Sequence, residues 1–118
     1  MDFETEVGHV GVGWQPIVRE LHAKVLEIDP DIEVEQIKEK FGGLRYYFTS
    51  RFAFPSDEND QINALVAAAE AKCDVTCEDC GEVGSRVSIS GWLRTLCKQH
   101  ENEARERRAR TWRTEDGG

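Results

Sequence analysis

Residues 77–100 read CEDCGEVGSRVSISGWLRTLCKQH and contain four soft metal ligands in two pairs. Cys77 and Cys80 form a Cys-x-x-Cys pair followed by glycine, and after sixteen intervening residues Cys97 and His100 form the second pair. Two pairs at this interval are the spacing of a zinc finger. The glycine lets the backbone turn so that N–H groups point at the sulfurs. The segment therefore predicts one zinc ion bound by three thiolates and one imidazole.

The role that this ligand set predicts for the zinc ion is structural. Three thiolates and one imidazole complete a tetrahedron and leave no open position for water. The His-x-Glu and Pro-Cys-x-x-Cys pattern of the zinc deaminases is absent from the sequence. Glu78 lies between two ligands, and we expect its charged side chain to face water. We therefore expect no catalytic residues and no enzymatic activity.

A fifth candidate ligand, Cys73, precedes the zinc segment. It falls on the apolar face of a predicted helix, and its separation from Cys77 is one residue longer than in a Cys-x-x-Cys pair. We therefore interpret Cys73 as a small core residue. If it bound the metal instead, it would replace His100, and all four ligands would be thiolates.

Residues 1–75 predict a small α+β domain made of a helix, a β-hairpin and a second helix. The first helix has Pro16 in its first turn and apolar residues at helical spacing until Pro30. The second has Ser56 as its N-cap and a similar apolar pattern up to Cys73. The glycines before Trp14 follow no predicted strand and precede no phosphate-binding lysine, so we expect a flexible N-terminal lead there.

The predicted hairpin has strands over residues 32–40 and 44–50, with Gly42 and Gly43 supplying the positive φ angles of its turn. In the second strand apolar residues such as Leu44 alternate with polar ones such as Arg45, which predicts a sheet with one covered face. The first strand is less regular, and this predicts a bulge or a helical turn near Gln36.

Residues 76–113 predict a zinc module of the treble-clef or zinc-ribbon type. A knuckle carries the first ligand pair, a hairpin separates the two pairs, and a C-terminal helix begins at the second pair. The dipole of that helix favours the thiolate of Cys97. We expect Trp92 to pack over the zinc site or against the first domain. Residues 114–118 are predicted to form a flexible tail.

Four segments together resemble a group of small bacterial and phage proteins. They are Gly13-Trp14, KEKFGGLRYY at 38–47, TCEDCG at 76–81 and GWLRTLC at 91–97. The group combines a KEKFGGLR-type segment with a C-terminal zinc module of three cysteine ligands and one histidine. The resemblance implies a cytoplasmic setting, which is the bacterial host cell if the chain is phage-encoded. It implies no activity.

The zinc segment is also similar, over residues 77–105, to zinc fingers of the DksA/TraR type, which bind RNA polymerase. This sequence lacks the long helical hairpin with an acidic tip by which that family acts. It also has His100 where a fourth cysteine would be expected. The likeness therefore implies a zinc finger and does not imply that family's mechanism.

The charge of the chain limits what its partners can be. The 118 residues carry a net charge of −8, which argues against a grip on nucleic acid by the whole surface. Residues 1–75 hold 15 acidic and 7 basic side chains, whereas residues 76–118 hold 8 of each. No apolar run is long enough for a membrane span or an export signal, so we expect a cytoplasmic protein without a membrane partner.

Basic residues nevertheless cluster in two places, which we take as candidate partner-binding surfaces. They are Arg105, Arg108 and Arg110 on the C-terminal helix and Lys38, Lys40 and Arg45 on the hairpin. Pairing with glutamates at helical or cross-strand spacing is the alternative interpretation of both. We predict a non-enzymatic zinc-binding interaction protein, of which a phage-encoded modulator of a host protein is one form. The alternative is a nucleic-acid-binding or transcription-regulating zinc-finger protein that uses the arginine helix and the hairpin cations together with Tyr47.

Overall fold

The computed structural model describes residues 2–117, with side chains for residues 2–110. This part of the chain has an α+β fold in which four helices accompany two antiparallel hairpins. The helices are α1 (Phe3–Val7), α2 (Gln15–Ile28), α3 (Asp57–Cys73) and α4 (Lys98–Gly117). The strands are β1 (Glu33–Lys40), β2 (Gly43–Thr49), β3 (Ser85–Ile89) and β4 (Trp92–Leu96).

The predicted order of helix, hairpin, helix, zinc-segment hairpin and final helix is confirmed, and only α1 was not expected. The predicted tail at 114–118 lies outside the residues whose side chains are described. No helix in the described part of the chain combines the length and the apolar character that spanning a membrane requires.

The first hairpin turns one residue earlier than its glycines suggest. Lys40 pairs with Gly43, so the two-residue turn consists of Phe41 and Gly42, with φ angles of 55° and 78°. Two positive φ angles match the twist of the flanking strands. The expectation that Gly43 would take a positive φ is therefore wrong, because that glycine already belongs to β2. The pairing register also shifts between Val34 and Gln36, which confirms the predicted bulge.

The main core lies between the first hairpin and the helices α2 and α3. Leu44 and Tyr46 of β2 point into it and are buried, whereas Tyr47 on the opposite face is exposed. Cys73, the last residue of α3, is fully buried in the same core. A second, smaller core lies between the β3–β4 hairpin and α4. Its buried members are Cys77, Ile89, Leu96 and Ala104.

The glycine-rich segment before α2 packs against the zinc segment, so the expectation of a flexible lead is wrong. The backbone N–H of Gly13 donates to the carbonyl oxygen of Glu78 at 2.8 Å. A Cβ atom on Gly13 would lie 2.1 Å from the carbonyl oxygen of Cys77 and 2.4 Å from the backbone nitrogen of Gly81. Glycine is therefore needed because two backbones touch here, and not because the chain is mobile.

Candidate metal centre

The four predicted ligands come together in one cluster. The sulfurs of Cys77, Cys80 and Cys97 and a ring nitrogen of His100 all lie within 4.8 Å of one another. The Sγ atoms of Cys80 and Cys97 are 3.8 Å apart, and Nδ1 of His100 lies 3.6 Å from Sγ of Cys77 and 3.2 Å from Sγ of Cys97. The structure therefore brings together a cluster that could hold a metal ion, with the composition that the spacing predicts.

The first ligand pair is held by a tight knuckle. The N–H of Cys77 donates to the carbonyl of Glu82 at 2.7 Å, and the N–H of Gly81 donates to the carbonyl of Cys77 at 2.9 Å. Gly81 has a φ of +85°, a backbone conformation that glycine adopts without steric cost. The glycine after the second cysteine thus makes the turn that the sequence pattern indicates.

The second pair sits where α4 begins. Cys97 directly precedes the helix, and the backbone N–H of His100 points at its Sγ at 3.5 Å. That N–H, together with the His100 ring, lowers the pKa of the Cys97 thiol to about 7. A helix N-terminus favours a negative charge in the same way. The thiol at this position therefore ionises more readily than an ordinary cysteine.

Cys80 behaves differently because it faces the other thiols. The backbone N–H of Glu82 lowers the pKa of Cys80, but desolvation and the neighbouring Cys77 and Cys97 raise it to about 11. Adjacent thiols resist losing all their protons when no cation is present to compensate the charge. Three thiolates at these distances need a metal ion between them.

Two of the three shortest separations fit a zinc ion. Zinc–sulfur bonds of about 2.3 Å and zinc–nitrogen bonds of about 2.0 Å in a tetrahedron place sulfurs about 3.8 Å apart and sulfur about 3.5 Å from nitrogen. The Cys80–Cys97 and Cys77–His100 separations match these values. The ligand atom of His100 is Nδ1, and its Nε2 lies 3.8 Å from a carboxylate oxygen of Glu103. At this distance the carboxylate lies near the imidazole without a hydrogen bond to it.

Glu78 is buried between the two cysteines of the knuckle, so the expectation that it faces water is wrong. Its Oε2 accepts a hydrogen bond from the backbone N–H of Thr95 at 2.8 Å, and Oε1 lies 3.7 Å from the guanidinium of Arg94. Burial raises the pKa of this carboxyl group. The side chain faces inward because it joins the knuckle to β4, the strand that leads into Cys97.

Cys73 lies outside the cluster. Among the described residues the metal-binding group contains only Cys77, Cys80, Cys97 and His100. The thiol of Cys73 is packed in the main core, where burial raises its pKa to about 12. A thiol of this kind stays protonated at neutral pH and is a poor metal ligand.

The arginines of the predicted helical surface do not share one environment. Arg105 donates two hydrogen bonds to one carboxylate oxygen of Glu101, at 2.9 and 3.0 Å, and a third to the backbone carbonyl of Ser88 at 3.1 Å. Arg105 therefore connects α4 to β3 through hydrogen bonds. Arg108 and Arg110 lie further along α4 with exposed side chains.

The hairpin cations also separate into two kinds. Arg45 donates to the carbonyl of Leu44 at 3.0 Å and lies 3.8 Å from a carboxylate oxygen of Glu70. Lys38 and Lys40 instead lie over the rings of Tyr47 and Phe41, at 6.0 and 5.6 Å from the ring centroids. The cross-strand partner of Lys38 is Arg45, so the glutamate pairing considered for this hairpin does not account for it.

Trp92 does not pack over the zinc site or against the first domain, because 74% of its surface is exposed. It directly follows Ser90 and Gly91, which form the turn of the second hairpin with φ angles of 51° and 88°. The indole therefore projects from a hairpin tip. The position of Trp92 could not be predicted from the sequence, because an apolar residue is expected to be buried. In the structure the turn places this residue at an exposed tip.

Comparisons of the chain with protein-family models, with curated proteins and with solved structures find no match. The class of protein is therefore described from the fold and from the arrangement of the site residues. It is an α+β protein in which a Cys3His metal site joins a knuckle to the first turn of a C-terminal helix.

Proposed function

We propose that the protein is a non-enzymatic interaction protein whose C-terminal module is stabilised by a structural zinc ion. The observation that carries this proposal is the closed set of ligands at Cys77, Cys80, Cys97 and His100. Three sulfurs and one nitrogen occupy every position of a tetrahedron, so a bound metal has no site left for water or substrate. Soft thiolates also favour zinc over the hard cations that prefer oxygen ligands.

The position of the metal site supports a role in holding a binding surface. Cys97 follows β4 directly, and the other end of β4 is Trp92 at the exposed hairpin tip. Zinc at this site would fix β4 between the knuckle and α4. The free energy of metal binding would then maintain the surface at that tip, as it maintains the fold of small zinc modules.

The partner that we propose is a protein. The resemblance to bacterial and phage proteins would make that partner a host protein if the chain is phage-encoded. The exposed Tyr47 beside Lys38 favours the second candidate, a nucleic-acid-binding protein, because bases stack on aromatic rings next to cations.

Metal analysis combined with partner capture tests the proposal. We expect about one zinc per chain in the purified protein. The zinc-loaded protein should retain a host protein from a nuclease-treated lysate, and a Cys80→Ser variant should lose both the zinc and the partner. Absence of zinc, or capture that disappears after nuclease treatment, would contradict the first-choice function. The second result would support nucleic-acid binding.

A further inference from the structure

An open apolar cleft lies between the tips of the two hairpins. It has a volume of about 630 Å³. Its lining residues are Glu39, Lys40, Phe41, Gly91, Trp92 and Leu93. Phe41 is 65% exposed and Trp92 is 74% exposed. Aromatic side chains of this size are usually buried in a protein core or an interface. The volume is in the range of protein clefts that bind ligands or side chains, about 300–1,000 Å³.

The backbone presents the phenyl ring of Phe41 at a steric cost. Its φ of 55° lies in the left-handed region, where a residue with a Cβ atom loses about 1 kcal/mol or more relative to glycine. The other residue of this two-residue turn is Gly42. A second glycine in place of Phe41 would make the turn without strain, so the ring of Phe41 is not explained by the turn itself.

Direct contacts join the tip of the first hairpin to the opposite, open end of the second hairpin, where Arg86 pairs with Thr95. The hydroxyl of Thr95 in β4 donates to the carbonyl of Gly42 at 2.7 Å and accepts from Nε of Arg86 at 3.1 Å. A Cβ atom on Gly42 would lie 2.6 Å from the side chain of Arg86, so the contact is close. These contacts fix the wall of the cleft that carries Phe41, so this wall loses little conformational entropy when a ligand enters.

Lys40 and Glu39 both line the cleft, and Lys38 lies two residues before Lys40 on the same strand. The carboxylate of Glu39 accepts from the N–H of Gly42 at 2.6 Å and is directed into the turn. Within the described residues, no carboxylate lies within the 4.0 Å of an ion pair from the ammonium groups of Lys38 or Lys40. Two uncompensated cations beside an apolar cleft complement a ligand that carries carboxylates around an apolar group.

Nucleic acid fits this cleft less well than a protein segment does. The neighbouring Arg86 and Arg94 are already paired with Asp74 and Asp79. Two lysines would give a salt dependence of only about −1.4 in log K against log salt for a single strand. The net charge of −8 also repels a long polyanion. A short acidic segment carries fewer charges than a long nucleic-acid strand, so the net charge of the chain repels it less.

We propose that the cleft between Phe41 and Trp92 binds an acidic segment of a partner protein through one large apolar side chain. The inference rests on the proposed function and specifies its surface. The apolar side chain enters between the two rings, and flanking carboxylates contact Lys38 and Lys40. Tryptophan at the centre of such a contact dominates the binding energy of many protein interfaces.

A random-peptide display library of about twelve residues, selected on the zinc-loaded protein, tests the proposal. Enriched sequences should combine a large apolar residue with Asp and Glu. Fluorescent copies should bind with dissociation constants on the order of micromolar, and Trp92→Ala should weaken binding at least tenfold. Lys40→Glu should weaken it about threefold to tenfold, and less so at high salt. The matched control is Phe54→Ala, which removes an aromatic ring that is 82% exposed outside the cleft.

Three outcomes would overturn the assignment of this cleft. The first is a selection without acidic apolar sequences, and the second is full binding by Trp92→Ala. The third is evidence for a different occupant of the cleft. Such evidence would be displacement of bound peptide by oligothymidine, or self-association of the protein that Trp92→Ala abolishes. The zinc content and the lysate capture of the Trp92→Ala variant distinguish failure of this proposal from failure of the proposed function. If both persist in Trp92→Ala, the interaction function stands and its surface lies elsewhere.

Discussion

The indole Nε1 of Trp14 donates a hydrogen bond of 2.7 Å to the backbone carbonyl of Thr76, a residue 62 positions later in the chain. Trp14 is fully buried, and Thr76 immediately precedes the first zinc ligand. The contact joins the start of α2 to the metal-binding module. It therefore makes the stability of the module depend on the first domain.

Trp14→Phe tests this dependence. The substitution leaves the carbonyl of Thr76 without its donor and removes part of a buried ring, so we expect a loss of about 2–4 kcal/mol in the free energy of unfolding. Urea unfolding would measure it. Trp92→Phe is the control, because an exposed tryptophan should change stability by less than about 0.5 kcal/mol. Equal effects of the two substitutions would contradict the structural role of Trp14.

Gly13→Ala tests the close approach of the backbones. The new methyl group would lie 2.1 Å from the carbonyl oxygen of Cys77, and moving the segment away would break the bond from Gly13 to Glu78. We expect a loss of about 2–4 kcal/mol in urea unfolding. Gly8→Ala is the matched control, since its nearest contact would be 3.3 Å and its effect should be below about 0.5 kcal/mol. A Gly13→Ala variant as stable as the control would exclude a tight contact.

Two cysteine substitutions distinguish ligand from core residue. Cys80→Ser should lower the zinc content to near zero and unfold residues 76–100, because metal binding contributes on the order of 10 kcal/mol to the folding of such modules. Cys73→Ala should keep a full complement of zinc and cost about 1 kcal/mol. Elemental analysis measures the zinc content of both variants, and thermal melting measures their stability. Zinc lost from Cys73→Ala would make that thiol a ligand in place of His100.

His22 gives the stability of the first domain a pH dependence. Its Nδ1 lies 2.9 Å from the hydroxyl of Tyr46, and its ring stacks on Phe3 with centroids 3.9 Å apart. Burial raises the pKa of Tyr46, so the hydroxyl keeps its proton and donates to the neutral imidazole. Burial lowers the pKa of His22 from its usual 6.5. The unfolded chain therefore binds a proton at higher pH than the folded chain does.

The sign of this dependence follows from proton linkage. Stability from neutral His22 is complete above pH 6.5 and is lost as the pH falls through the lowered pKa of the folded state. Unfolding in urea at pH 7 and pH 5 should show a larger loss for the wild type than for His22→Gln, whose amide oxygen can accept from Tyr46 at both pH values. The zinc ligands are common to both proteins, so their titration cancels in the comparison. Parallel losses would show that His22 does not contribute.

The composition of the metal site could be predicted from the sequence because its ligands lie in two short pairs. Spacing within a pair is a local property, and knuckles and helix starts are local structures. The alternation of Leu44, Arg45 and Tyr46 likewise predicted the covered face of β2, since side chains in a strand alternate regardless of distant contacts.

The contacts on the buried side of the knuckle could not be predicted from such local patterns. Whether Glu78 faces water depends on Thr95, and whether Gly13 is mobile depends on Cys77. Both relationships join residues that are distant in sequence, and neither leaves a periodic pattern. The Gly-x-Gly-Trp run at residues 11–14 was the available signal, because glycine marks close backbone approach as well as flexibility.

The distance in sequence between Trp14 and Thr76 also has a consequence during synthesis. A ribosome adds about 5–20 residues per second, so the indole waits several seconds for its acceptor to be translated. The zinc knuckle that covers Gly13 follows later still. The first domain therefore leaves the ribosome with Trp14 and the backbone of Gly13 uncovered, and both become covered only after residues 76–81 have been translated and have folded against them.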